Sequence, residues 1–248
     1  MKIKVGCCGF PGGMQRYFQD FEVVETQSTF YDLPKPETAQ RWREKAPANF
    51  EFSVKAWQLI THPATSPTYK KAGVTTARDK EKNYGFFKAT EEVFFAWNET
   101  LQICDILEAK VALFQCPASF RATQENITNM RNFFNSIKRK NLKFAWEPRG
   151  DWKSATIKSL CKELDIIHCV DPFVSNIAHE SDAAYFRLHG SQGKKMYYYK
   201  YTQRDLEFLL KKCKETKARE VYCLFNNISM HEDALAFKKM LNSKIFRS

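Results

Sequence analysis

Eight short apolar runs punctuate this chain, separated by intervals too long for hairpins: Ile3–Cys8, Glu22–Thr26, Glu51–Lys55, Val111–Gln115, Lys143–Glu147, Ile166–Val170, Ala184–His189 and Val221–Phe225. Rich in Val, Ile and Phe, they have the composition of strands buried on both faces, as parallel strands are. The intervening stretches carry helical periodicity. Glu37–Lys45 follows Pro34 and Pro36, and proline is tolerated at a helix start. Thr90 stands where it can cap a helix with the apolar stripe Val93, Trp97, Leu101 and Cys104. Further stripes run through Ile127, Met130, Phe134 and Ile137, through Leu206, Leu209, Leu210 and Cys213 behind a Thr202 cap, and through Ala234, Phe237 and Leu241. The helical pattern is weakest after the first and sixth strands. Strand and helix alternating eight times predict an α/β fold, a single TIM-like (β/α)8 barrel domain over residues 1–248; an open doubly wound sheet is the alternative. The chain's 248 residues match the usual barrel length of about 250.

The longest interruption, Ala56–Ala89, follows the third strand and contains His62-Pro63, Pro67, Gly73, Gly85 and a mixed-charge patch at Arg78–Lys82. Connections of this length are commonly lids, substrate loops or embellishments. On the C-terminal side of a strand, this one is expected to overhang the barrel mouth as a lid. The chain opens directly on a strand, without an apolar leader or an apolar run of about 18 residues, so a cytoplasmic protein with no membrane partner is expected. Eight cysteines without a C-x-x-C pair read as buried thiols rather than as disulfides or a zinc site.

Charged residues on such strands reveal where chemistry would sit. Strand side chains alternate between the barrel interior and the helix-covered exterior. A carboxylate packed under helices is costly, so Glu147 is expected inside, near the mouth. The same reasoning places Glu25, Lys55, Gln115, Arg187 and His189 there, with Asn226 beyond the eighth strand. Each has a plainer reading: Glu25 with Lys55, or Glu147 with Arg187, would also serve as buried ion pairs holding strands in register. Convergence of all of them on one rim favours a site. Glu147 then serves as general acid or base, with His189 as its proton partner. Lys55, Arg149 and Arg187 form an anion clamp, since a guanidinium fork matches phosphate or carboxylate. His62 and Tyr31 complete the expected substrate contacts.

No Walker loop, G-x-G-x-x-G, G-x-S-x-G or H-E-x-x-H occurs, so no particular cofactor or metal is implied; a divalent ion would need ligands from separate strands, such as Glu25, Glu147, His62 and His189. Gly9-Phe10-Pro11-Gly12-Gly13 reads as a tight turn rather than an anion cradle. The net charge of +11 favours an anionic partner, a small molecule or a nucleic-acid end, although the basic pairs, Lys194-Lys195 among them, are dispersed. Aromatic residues follow the same strand ends: Phe30-Tyr31, Trp57, Trp152, Tyr197-Tyr198-Tyr199 and Tyr201.

Several local signatures occur in order along nearly the whole chain. They are Glu25-Thr26-Gln27-Ser28-Thr29-Phe30-Tyr31, Phe52-Ser53-Val54-Lys55 with Thr61-His62, and Phe114-Gln115-Cys116-Pro117 with Phe120. Trp146-Glu147-Pro148-Arg149 with Trp152, Phe186-Arg187-Leu188-His189-Gly190 and Phe225-Asn226-Asn227 follow. With these the chain resembles the DUF72 (YecE-like) family. The resemblance implies a TIM-like barrel and no particular reaction. Gln27 departs from the family's usual Asn, and Gly9-Phe10-Pro11 replaces a Gly-Trp pair. The functional expectation is an enzyme, such as a phosphodiester hydrolase or an isomerase, acting on a phosphate-bearing substrate by acid–base chemistry. A nucleic-acid-binding protein without catalysis and a metal-dependent phosphodiesterase or isomerase are the alternatives.

Overall fold

The computed structural model describes residues 1–73, 76, 78–190 and 196–245, and in it eight parallel strands close in sequence order into a barrel. The strands are β1 Lys2–Cys8, β2 Val23–Thr26, β3 Glu51–Lys55, β4 Val111–Gln115, β5 Lys143–Glu147, β6 Ile167–Val170, β7 Ala183–Leu188 and β8 Glu220–Phe225. The helices are α1 Met14–Asp20, α2 Pro36–Lys45, α3 Gln58–Thr61, α4 Pro67–Ala72, α5 Glu91–Ile106, α6 Gln124–Ser136, α7 Ser154–Glu163, α8 Gln203–Glu215 and α9 Met230–Ile245. Among the described residues none follows β6. There, Pro172 and the polar run Ser175–Asn176 give no helical stripe, and the chain turns on Asp171, whose carboxylate takes the Phe173 N–H. Thr90 and Thr202 cap α5 and α8 as their positions predict, Thr202 in a reciprocal box with Asp205. Lys194 and Lys195, and residues 74, 75 and 77 of the long connection, lie outside the described residues.

Two compact units make up the chain. The first comprises Met1–Glu25, Ala46–Glu51 and Ile167–Ser248. In it β1 pairs with β8 and β8 with β7, placing Lys4 and Tyr185 beside Tyr222 and Arg187 beside Leu224. Odd residues of β8 pack on helices: the Cys223 thiol lies 3.5 Å from that of Cys213 on α8, and Phe225 meets Phe237 of α9. Even residues therefore occupy the opposite face, where Tyr222 stacks on Tyr185 at 5.5 Å. At the strand N-terminal ends, Lys4 is buried and pairs with Glu51 at 2.7 Å and Glu220 at 2.6 Å, with the Tyr222 hydroxyl at 3.1 Å. Burial alone would lower the Lys4 pKa, but the bonds to Glu220 and Glu51 outweigh it, and the pKa is raised. Between β1 and β2 the buried Tyr17 hydroxyl replaces a backbone rung, accepting from the Cys7 N–H at 2.7 Å and donating to the Val23 carbonyl at 2.8 Å. The Gly9–Gly13 segment forms a turn, its Gly13 N–H donating to the Phe10 carbonyl, and the Phe10 ring packs on Tyr17 and Phe18.

The second unit comprises Thr26–Lys45 and Phe52–Ile166. Its β3, β4 and β5 are in register so that Lys55 lies beside Leu113, and Gln115 beside Glu147. Phe114 and Phe144 face α5 and α6, meeting Trp97, Phe133 and Phe134. The alternate residues Leu113, Gln115, Ala145 and Glu147 thus share the face away from the helices. The Ala56–Ala89 connection is packed at both ends, whereas Lys70, Lys71 and residues 79–82 between them are exposed. All four residues of α3 are buried, and the backbone N–H groups of Gly85, Phe86 and Phe87 donate to Leu59, Thr61 and Ile60. Phe87 is wholly buried among Phe114, Phe120, Phe133 and Phe134.

Candidate functional site

The two units each carry a cluster of the expected residues at or beyond strand ends. In the first, Glu25 and Arg187 face each other. Both are buried, and the guanidinium fork grips the carboxylate from Nε to Oε2 at 3.0 Å and from Nη2 to Oε1 at 2.8 Å. The Tyr185 hydroxyl adds a third bond to Oε2 at 3.0 Å. The anion in the fork is therefore a side chain of the protein, and Arg187 holds Glu25 where a substrate anion was expected. The physical reason is burial: a guanidinium out of water needs a permanent counter-charge. Cys8, beside Glu25 in register, places its sulfur 3.8 Å from Arg187 Nη2.

His189, just past β7, is buried and anchored twice. Its backbone N–H donates to Asp171 at 3.0 Å, and its Nδ1 lies 3.1 Å from the Asn226 amide nitrogen. An amide nitrogen only donates, so with this amide assignment Nδ1 accepts and the ring proton resides on Nε2. Tyr197 meets the imidazole edge-on at 6.1 Å.

In the second unit the cluster is built on β3, β5 and the connection after β3. Lys55 is buried with its ammonium 4.0 Å above the Phe30 ring, a cation–π contact. The Thr29 hydroxyl reaches the carbonyls of Thr26 at 2.6 Å and Lys55 at 2.7 Å, tying the two strand ends together. His62 also packs edge-on against Phe30, at 4.9 Å, with Nδ1 2.8 Å from the Thr61 hydroxyl. Burial, then the charges of Lys55 and Arg149, push the His62 pKa down to about 3, so the imidazole is neutral at pH 7. Arg149 donates from Nε at 2.9 Å and Nη2 at 2.7 Å to a single oxygen, Oε1 of Glu147. The Glu147 side chain is buried and that of Arg149 is partly exposed. Gln115 lies beside Glu147 in register. Tyr31 uses its carbonyl to accept from Trp57 and Gln58, and its ring lies 5.0 Å from the Lys71 ammonium.

Residues beyond the expected set hold these clusters in place. Tyr185 shares the parity of Arg187 and was legible on that ground, and Phe30 stood among the aromatic residues expected at the strand ends; Thr29 and Asp171 act from turns, where alternation gives no signal. Among the described residues, no group of three or more His, Cys, Asp or Glu side chains is arranged to hold a metal ion. No helix among them is long and apolar enough to cross a membrane.

Comparison with known proteins adds the family. The chain is 25% identical to the UPF0759 protein YunF of Bacillus subtilis, over 92% of this chain and 85% of YunF. It superposes on the crystal structure of a DUF72 family protein from Enterococcus faecalis with a TM-score of 0.73, covering 97% and 95% of the two chains at 21% identity. A D-tagatose 3-epimerase-like protein shares the barrel fold alone, with a TM-score of 0.59 at 13% identity over 99% and 97% of the chains. A model of the family described as "Protein of unknown function DUF72" matches residues 11–247, and the chain belongs to that family.

Proposed function

We propose that the protein is an enzyme acting on an anionic, phosphate-bearing substrate, with Lys55, Arg149 and neutral His62 receiving the anion and Glu147 moving a proton. The observation that carries this reading is the cluster itself: buried Lys55 and His62 both pack on the Phe30 ring, and the buried Glu147 carboxylate is gripped by Arg149. Lys55 and Arg149 bring two cations to the cluster that holds the Glu147 carboxylate, and an anion entering it would meet both of them. Glu147 is held through one oxygen by Arg149, which orients the carboxylate as an acid–base group should be oriented. A neutral imidazole supplies a hydrogen bond without adding charge. The reading rests on residues of the second unit; His189, with its ring oriented by Asn226, enters as an independent test of a second proton-transfer role.

The experiment is a titration with inorganic phosphate, followed by a screen of phosphate mono- and diesters and sugar phosphates for turnover. Lys55→Met should weaken phosphate binding by roughly 1.5–3 kcal/mol, the worth of a charged hydrogen bond. Glu147→Gln should leave binding intact and suppress turnover, because a general base acts mainly in the transition state. His189→Asn should lower turnover with unchanged phosphate affinity. Phosphate affinity indifferent to Lys55→Met, in a protein that still folds, overturns the proposal. DNA affinity that survives Glu147→Gln, with no turnover of any ester, would instead favour a binding protein.

A further inference from the structure

A cavity of about 400 Å³ opens in the second unit, against the start of α5 and the connection after β3. That volume is within the range of small-ligand sites. Three of its walls are aromatic, from Trp57, Tyr84 and Phe95, and its charged lining is Lys80, Glu91 and Glu92. Phe95 is 56% exposed, although Val93, Ala96 and Trp97 around it on α5 are buried. The core therefore does not account for this ring; a ligand resting on it would.

Charge selects the ligand. Two carboxylates meet one ammonium here, in a chain whose net charge is +11. As first-turn residues Glu91 and Glu92 also offset the positive end of the α5 dipole, which explains their tolerance at this place but not the aromatic walls. Lys80 shows what the acidic end accepts: its ammonium lies 3.1 Å from the Glu92 carboxylate. An anionic ligand would meet two like charges beside that single ammonium.

We infer that this pocket binds an organic cation, a substituted ammonium group whose methyls lie on the Trp57, Tyr84 and Phe95 rings while its charge faces Glu91 and Glu92. Cation–π attraction is strongest on Trp and falls within a short reach of the ring, which suits a compact quaternary ammonium. The inference does not depend on the proposed phosphate chemistry.

The test is a titration of the full chain with choline and with 3,3-dimethylbutan-1-ol, its uncharged isostere, read by calorimetry and by tryptophan fluorescence. Choline should bind saturably, and the isostere about tenfold more weakly. Phe95→Ala, at an exposed position that leaves the fold intact, should weaken choline binding roughly 2- to 30-fold. Glu91→Gln should weaken it as well, and neither variant should change phosphate affinity. The inference is overturned by an absence of saturable choline binding, by an isostere that binds as well as choline, or by wild-type affinity in Phe95→Ala with an unchanged melting temperature.

Discussion

Replacing Arg187 with Met separates a structural ion pair from an anion clamp. The side chains of Arg187 and Glu25 are 1% and 0% exposed, and two bonds of 3.0 and 2.8 Å join them, with Tyr185 as a third partner of the carboxylate. Removing the guanidinium leaves a buried carboxylate without the fork that grips it. Breaking a buried pair in this way costs about 3–5 kcal/mol. Glu25→Gln leaves the opposite charge stranded and should cost a similar amount. The double variant Glu25→Gln/Arg187→Met removes both charges together, so its loss should fall well below the sum of the single losses. Chemical denaturation at pH 7 of the wild type, both single variants and the double variant measures the coupling. Where a single variant fails to fold, recovery of folding by the double variant reads the same coupling. Single losses below about 1 kcal/mol, or losses that simply add, would falsify the ion-pair assignment. If Arg187 instead serves a substrate, Arg187→Met should spare stability and reduce phosphate affinity.

Three other expectations follow from particular contacts. His62 stays neutral in the folded protein down to about pH 3, whereas an unfolded chain protonates it near 6.5. Its contribution to stability is therefore complete above pH 6.5 and is lost as the pH falls towards 3, reaching about 2–3 kcal/mol at pH 4.5. His62→Gln should flatten the stability–pH slope in that window, and an unchanged slope would count against the assignment. Tyr17→Phe strands the buried Cys7 N–H and Val23 carbonyl and should lower unfolding free energy by about 1–3 kcal/mol, measured by urea denaturation; a loss near zero would mean that the strands close without the hydroxyl. Gly85 has φ of +76°, and a Cβ there would lie 2.4 Å from the His62 carbonyl, so Gly85→Ala should cost about 2 kcal/mol or more and disturb the His62 titration, which NMR would follow; an unaltered titration would refute the link between the Gly85 turn and the His62 site.

The strands were legible in the sequence because alternation and apolarity are properties of consecutive residues. β3, β4 and β5 occupy the very residues that their patterns predict, β1, β2, β6 and β8 differ by one residue at one end, and β7 is shifted by one residue at both ends. The parity that groups Lys55, Gln115 and Glu147 is equally local, being fixed by the two-residue repeat of an extended chain. The Thr90 and Thr202 caps also needed only neighbouring residues. Pairing across the barrel was not local. The sequence offered Glu25 with Lys55, or Glu147 with Arg187, as alternative ion pairs. That the guanidinium fork of Arg187 takes Glu25, 162 positions away, was not marked, because register and strand order decide which side chains meet. The same holds for Lys4 with Glu51 and Glu220, which no motif marked. The third strand's long connection was visible as an interruption, but its anchoring by Phe87 in a cluster of four rings depends on how α5, α6 and β4 pack. The protonation state of His62 lies furthest from the sequence, since it depends on the solvent excluded around the imidazole and on cations brought near it from β3 and beyond β5. A chain can declare which face of a strand each residue takes; only folding decides which charges share that face and how much water remains between them.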